Sequence, residues 1–187
     1  MELIDAFDTA FKEWDRLVHE VAEEQWEDPT PCAEWNVRDL VNHLVGEHLW
    51  APLLLDGATL EEIGDRFDGD VVGDDPVAAW EEAGGASWSA FHRKKALTGQ
   101  VHVTTRMMPA AEYGWQMTLD LAVHGWDLAH GIGVRSRMLD ELADAVYERA
   151  APEAERWQGA GVIDPPVPVP DDVVPQDRLV ALLGRRP

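Results

Sequence analysis

The chain holds one cysteine, Cys32, in 187 residues. An intrachain disulfide is therefore excluded, and the usage fits a reducing compartment. Basic charge is scarce as well: 36 Asp and Glu face 15 Lys and Arg, for a formal net charge of −21. Nucleic acids and anionic membrane surfaces are bound by clustered Lys and Arg, so neither is an expected partner. No purely apolar run approaches the roughly 18 residues that a membrane span requires. The opening MELIDAFDTAFKEW is acidic and amphipathic, unlike a secretory signal, and a soluble cytoplasmic protein is expected. The chain also lacks HExxH, a Walker loop and a nucleophile elbow. Gly131-Ile132-Gly133 is a mere fragment of a dinucleotide fingerprint and follows a helix, where it reads as a cap.

Aromatic and helical signals are plentiful. Nine Trp and 45% hydrophobic residues imply a substantial core. A single domain over residues 1–187 is expected, large enough to bury roughly 70% of its unfolded surface. Leu3, Ile4, Phe7, Phe11, Trp14, Leu17, Val18 and Val21 recur at spacings of three and four, one face of a helix of about six turns. DPTPCAEW breaks that helix. Asn36 and Asp39 then form a capping-box pattern that opens a second helix over 37–55, stopped by Asp56-Gly57. Residues 59–75 read as loop with one short helical turn. Pro76 opens a third helix expected over 76–97, in which Gly84-Gly85 is an unexplained weak point. Residues 100–105 alternate Val with His or Thr and read as a short strand or an extended crossover. A fourth helix begins at Pro109 and ends at Gly131 and Gly133, and a fifth covers 139–150. VIDPPVPVPDD is extended, and QDRLVALLGR supplies a last helical turn or two. The expected fold class is all-α: a four-helix bundle with an extra C-terminal helix and a Pro-rich extended tail.

One stretch carries chemistry. In LDLAVHGWDLA, between Leu119 and Ala129, the ionisable residues are Asp120, His124 and Asp127. Helical spacing puts all three on one stripe of a helix that is otherwise apolar and hence buried. Such groups must be paired, hydrogen-bonded or bound to a metal. Asp120 and His124, at i and i+4, match two ligands offered to one metal, with a third from another helix. Of seven histidines, His43 in VRDLVNHLVGEH is best placed. His48 points away from it, and Glu47 is positioned as an extra ligand or base. Asp127 reads as a hydrogen-bonding partner behind a ligand. His19, His92, His102 and His130 read as exposed or loop-borne. One Asp and two His leave a fourth position open, the pattern of a catalytic site. Zn²⁺ suits the set best, and Ni²⁺, Fe²⁺ or Co²⁺ fit it too. The spacing alone leaves a structural Asp–His hydrogen bond as the alternative. Cys32 reads as a small packing residue, or as a thiol whose pKa a helix dipole lowers. Arg38 is expected to pair with Asp39.

TPCAEWNVRDLVNHLVGEHLW, GDRFDGDVVGDDPVAAW, DLAVHGWDLAHGIG and DRLVALLGRRP, in that order, resemble an actinobacterial family of metal-binding proteins. These are similar to the N-terminal domain of mycothiol-dependent maleylpyruvate isomerase, within the DinB-like superfamily. The resemblance implies a DinB-like four-helix bundle with a divalent metal, usually zinc, on His43, Asp120 and His124. It also implies mycothiol as thiol cosubstrate, a small-molecule substrate, and homodimers as superfamily members often form. The isomerase has Glu where this chain has Asp120, and it carries a second domain for which the residues after the stripe helix are too few. The expected activity is a thiol-dependent isomerase or S-transferase acting on a small electrophile. The alternatives are a metal-dependent hydrolase and a non-catalytic, metal-stabilised binding or regulatory protein.

Overall fold

The computed structural model describes residues 1–103 and 106–187. The first apolar stripe folds as α1 (Leu3–Glu20) and buries Phe7, Trp14, Leu17 and Val18. The break at 28–35 leads into α2 (Val37–Leu55), capped as the sequence indicates: Asn36 Oδ1 accepts from Asp39 N at 2.8 Å, and Asp39 Oδ2 accepts from Asn36 N at 3.2 Å. A single turn, α3 (Leu60–Ile63), punctuates the following loop. Pro76 sits at the start of α4 (Pro76–Phe91), with the Asp75 side chain capping Ala78 N. The long α5 (Ala110–Gly131), then α6 (Asp140–Ala150), α7 (Ala154–Gly159) and α8 (Pro175–Leu182) complete the helices. Among the described residues, no helix is long and apolar enough to cross a membrane.

Four helices form the bundle. Helix α1 lies along α5 and α2 lies along α4, while the α2–α5 and α1–α4 contacts close the ring. The fifth long helix, α6, packs on α5 and on α8. Between α1 and α4 the core is aromatic, with Trp80 edge-on to Trp14 at 5.9 Å and tilted against Phe11 at 5.2 Å. That packing accounts for Gly84: a Cβ there would lie 2.9 Å from Cζ2 of the buried Trp80 indole, one turn back.

Three expectations need correction. Helix α4 stops at Phe91, well short of residue 97, because His92 Nδ1 bonds the Trp88 carbonyl at 2.7 Å and Lys95 adopts a left-handed φ of 71°. The alternating stretch takes the first of its two readings, a short strand: β1 (Gln100–Val103) pairs antiparallel with β2 (Arg106–Pro109); its residues 104–105 lie outside the described residues. Helix α7 was not expected, since one and a half turns with only Ala154 buried carry no periodic signal. Arg38 does not pair with Asp39, whose carboxylate closes the cap at Asn36. Its guanidinium reaches Asp70 at 2.9 Å and the Gly73 carbonyl at 2.7 Å, tying the 69–73 loop to α2.

Candidate metal centre

Where α2 crosses α5, their polar positions meet. His43 comes from α2; Asp120, His124 and Asp127 come from successive turns of α5. His43 Nε2 lies 3.2 Å from Asp120 Oδ2, and His124 Nε2 lies 3.6 Å from Asp120 Oδ1. One donor atom from each of the three residues falls within 4.8 Å of the others. Bonds of about 2.0–2.2 Å around a tetrahedral divalent ion set neighbouring ligand atoms roughly 3.4 Å apart, so the donor set fits such an ion. The two imidazoles stand nearly perpendicular, 81° between planes, with centroids 5.2 Å apart.

The charges at this crossing support one another. Burial works against the Asp120 carboxylate, but the hydrogen bond with His43 and the neighbouring histidines outweigh it and hold the group below its ordinary range. Burial likewise opposes charge on His43, and Asp120 prevails to raise its pKa. Glu47, one turn along α2 from His43, belongs to neither donor cluster. Burial first, then the Asp120 charge, push its carboxyl up to about 6.

Behind His124 lies a second group. His124 Nδ1 donates to Asp127 Oδ2 at 2.9 Å, and Asp127 is fully buried. The same oxygen accepts from Cys32 Sγ at 3.2 Å and from an Arg185 terminal nitrogen at 2.9 Å, while Arg185 Nε donates to Oδ1 at 3.2 Å. Cys32, His124 and Asp127 have the spacing of a metal triad. The guanidinium already occupies that place, 2.9 Å from the carboxylate and 3.5 Å from the thiol, and repels a second cation. Burial opposes the Asp127 charge, yet the bonds from His124 and Arg185 hold its pKa down to about 2. Cys32 departs from the alternative in which a helix dipole lowers its pKa: burial, then the Asp127 charge, push its thiol up to about 12. In that environment its Sγ donates to Asp127 Oδ2.

The proline-broken connection supplies the outer wall. Thr30 Oγ1 donates to the Trp35 carbonyl at 2.8 Å, and Trp35 N donates to the Cys32 carbonyl at 2.8 Å, fixing a tight turn. That turn sets the half-buried Trp35 ring 4.8 Å from the His43 ring and 5.8 Å from that of His124. The other histidines stay away. His48 is fully buried among Phe7, Phe11 and Trp80, while His19 and His130 are exposed. Sequence reasoning reached His43, Asp120, His124 and Asp127 but missed Trp35 and Arg185. Both come from irregular segments without periodicity, and Arg185 lies 58 residues beyond Asp127.

Fold and site together describe an all-α bundle in which two His and one carboxylate converge between two helices. Residues 7–129, from α1 through most of α5, match the family described as the mycothiol maleylpyruvate isomerase N-terminal domain. The chain belongs to that family, which is DinB-like and mycothiol-related. It is 30% identical over 177 residues to an uncharacterized protein of Mycobacterium tuberculosis strain CDC 1551 / Oshkosh, covering 90% of each chain. An uncharacterized protein of strain H37Rv matches with the same identity and coverage. No solved structure matches the chain.

Proposed function

We propose that the protein binds one divalent metal ion, zinc by ligand preference, through His43, Asp120 and His124. It then works with a low-molecular-weight thiol, mycothiol by family, on a small electrophile. The observation that carries this reading is the two-sided wiring of His124. Its Nδ1 is tied back to a buried carboxylate at 2.9 Å, so its Nε2 presents a lone pair toward Asp120 and His43. A bound ion supplies Lewis acidity, which lowers the proton affinity of a thiol or water that reaches it.

The chain's own residues do the rest. Asp127 holds the Nδ1 proton and keeps the imidazole in place. Trp35 covers one side of both histidines and limits the approach of water. Glu47, a half-buried carboxyl one turn along α2 from His43, is the group assigned to take up or return a proton. A thiol that adds to the electrophile and then leaves gives isomerisation; a thiol that stays on the product gives S-transfer.

Titration of mycothiol into zinc-loaded and zinc-free protein, with His124→Ala alongside, tests the reading. Binding with zinc present, and none in zinc-free protein or in H124A, is the expected result. Stoichiometric zinc with no thiol binding would contradict the thiol reading and favour a hydrolase or a non-catalytic metal site.

A further inference from the structure

We propose that Arg185 is a positioning residue of the metal centre, acting through Asp127 to fix the tautomer and direction of the His124 ring. The inference rests on the metal reading above and adds to it a residue from the end of the chain.

The geometry is a relay of fixed groups. Arg185 grips both oxygens of Asp127 in a fork, Nε to Oδ1 at 3.2 Å and a terminal nitrogen to Oδ2 at 2.9 Å. A carboxylate on its own turns about a broad terminal torsion; gripped at two points it has one plane. That plane aims Oδ2 at His124 Nδ1, 2.9 Å away. An ionised carboxylate only accepts, so Nδ1 must carry the hydrogen, and a neutral imidazole then has its lone pair at Nε2. Nε2 is the atom that faces Asp120.

The chain end is shaped to deliver this arginine. Gly184 turns the backbone at φ +87°, and a Cβ there would fall 2.5 Å from Asp164 Cβ. Arg185 N then donates to the Val180 carbonyl at 3.0 Å, and the guanidinium itself donates to the Leu183 carbonyl at 3.0 Å. Cys32 completes the set of donors on Oδ2. Helix α8 and its last turn thus act on a histidine of α5 without touching the ligand atoms.

The test compares wild type with Arg185→Gln and Arg185→Lys. Nitrogen NMR of the His124 ring in metal-free protein, at a pH where the ring is neutral, reports the tautomer, and chelator competition reports the Kd for Zn²⁺. Circular dichroism monitors the fold. Wild type is expected to show the Nδ1–H form. R185Q should show both tautomers and bind zinc about 10–100-fold more weakly with unchanged helicity, the usual cost of losing a group behind a ligand. R185K, one ammonium in place of the fork, should fall between them. A wild-type tautomer and zinc Kd in R185Q would overturn the proposal; should R185Q not fold, the same result in R185K would do so. If wild type takes up no zinc while the R185Q tautomer shifts, the metal reading fails and the hold of Arg185 on His124 stands.

Discussion

His48 brings a polar ring into an aromatic pocket. It is fully buried, 5.0 Å from the Trp80 ring, and neither ring nitrogen has a hydrogen-bond partner among the described residues. Burial, the dominant cause, drives its pKa down to about 3. The unfolded chain protonates this group below about pH 6.5 while the folded chain does not. Its contribution is therefore intact above pH 6.5 and lost toward pH 3, at about 1.4 kcal/mol per pH unit. Asp127, held to about 2, adds a second loss between about pH 4 and 2. His48→Leu should be at least as stable at pH 7, since two unpaired buried nitrogens disappear, and its stability should fall far less between pH 6.5 and 4. Urea unfolding across that range measures both; a pH slope equal to wild type would refute this account of His48. At this scale the sequence was informative where spacing is local. Asp120, His124 and Asp127 declare themselves as the ionisable members of one apolar helix. The environment of Cys32 did not, because the burial and the Asp127 charge that raise its pKa, and the Arg185 guanidinium that opposes them, come from elements remote in sequence.

Helix α4 shows how neighbouring, chemically identical residues differ once packed. Gly84 faces the Trp80 indole, whereas a Cβ at Gly85 meets nothing within 4 Å. Trp80 cannot retreat, being fully buried and donating from Nε1 to Asp15 Oδ1 at 3.0 Å. Gly84→Ala should destabilise the protein by about 1–3 kcal/mol through overpacking. Gly85→Ala should stabilise it by about 0.5–1 kcal/mol through helix propensity alone. Thermal unfolding of the two variants checks the pair, and a G84A protein as stable as G85A would contradict it. The helix starts at Asn36 and Pro76 were legible because caps and prolines act locally. The end of α4 was not, since a histidine ring on a carbonyl and a left-handed lysine break it without Gly or Pro.

For the molecule as a whole, the bundle supplies what no single element holds. His43 and the α5 stripe are 77 residues apart in sequence, and the crossing of α2 over α5 sets them 3.2 Å apart. The proline-broken turn adds Trp35 and Cys32, and the chain end adds Arg185. An acidic chain of net charge −21 raises the local concentration of cations but selects no site. Among the described residues two donor clusters share His124, and one of them is free of a resident guanidinium; on the proposed reading that one takes the metal. That choice is the central claim, and X-ray absorption spectroscopy of the zinc-loaded, thiol-free protein tests it most directly. The account expects one zinc per chain with two imidazole nitrogens and the rest oxygen at about 2.0–2.2 Å. A zinc–sulfur shell near about 2.3 Å, which Cys32 would have to supply, or a protein that takes up no zinc at all, would contradict it.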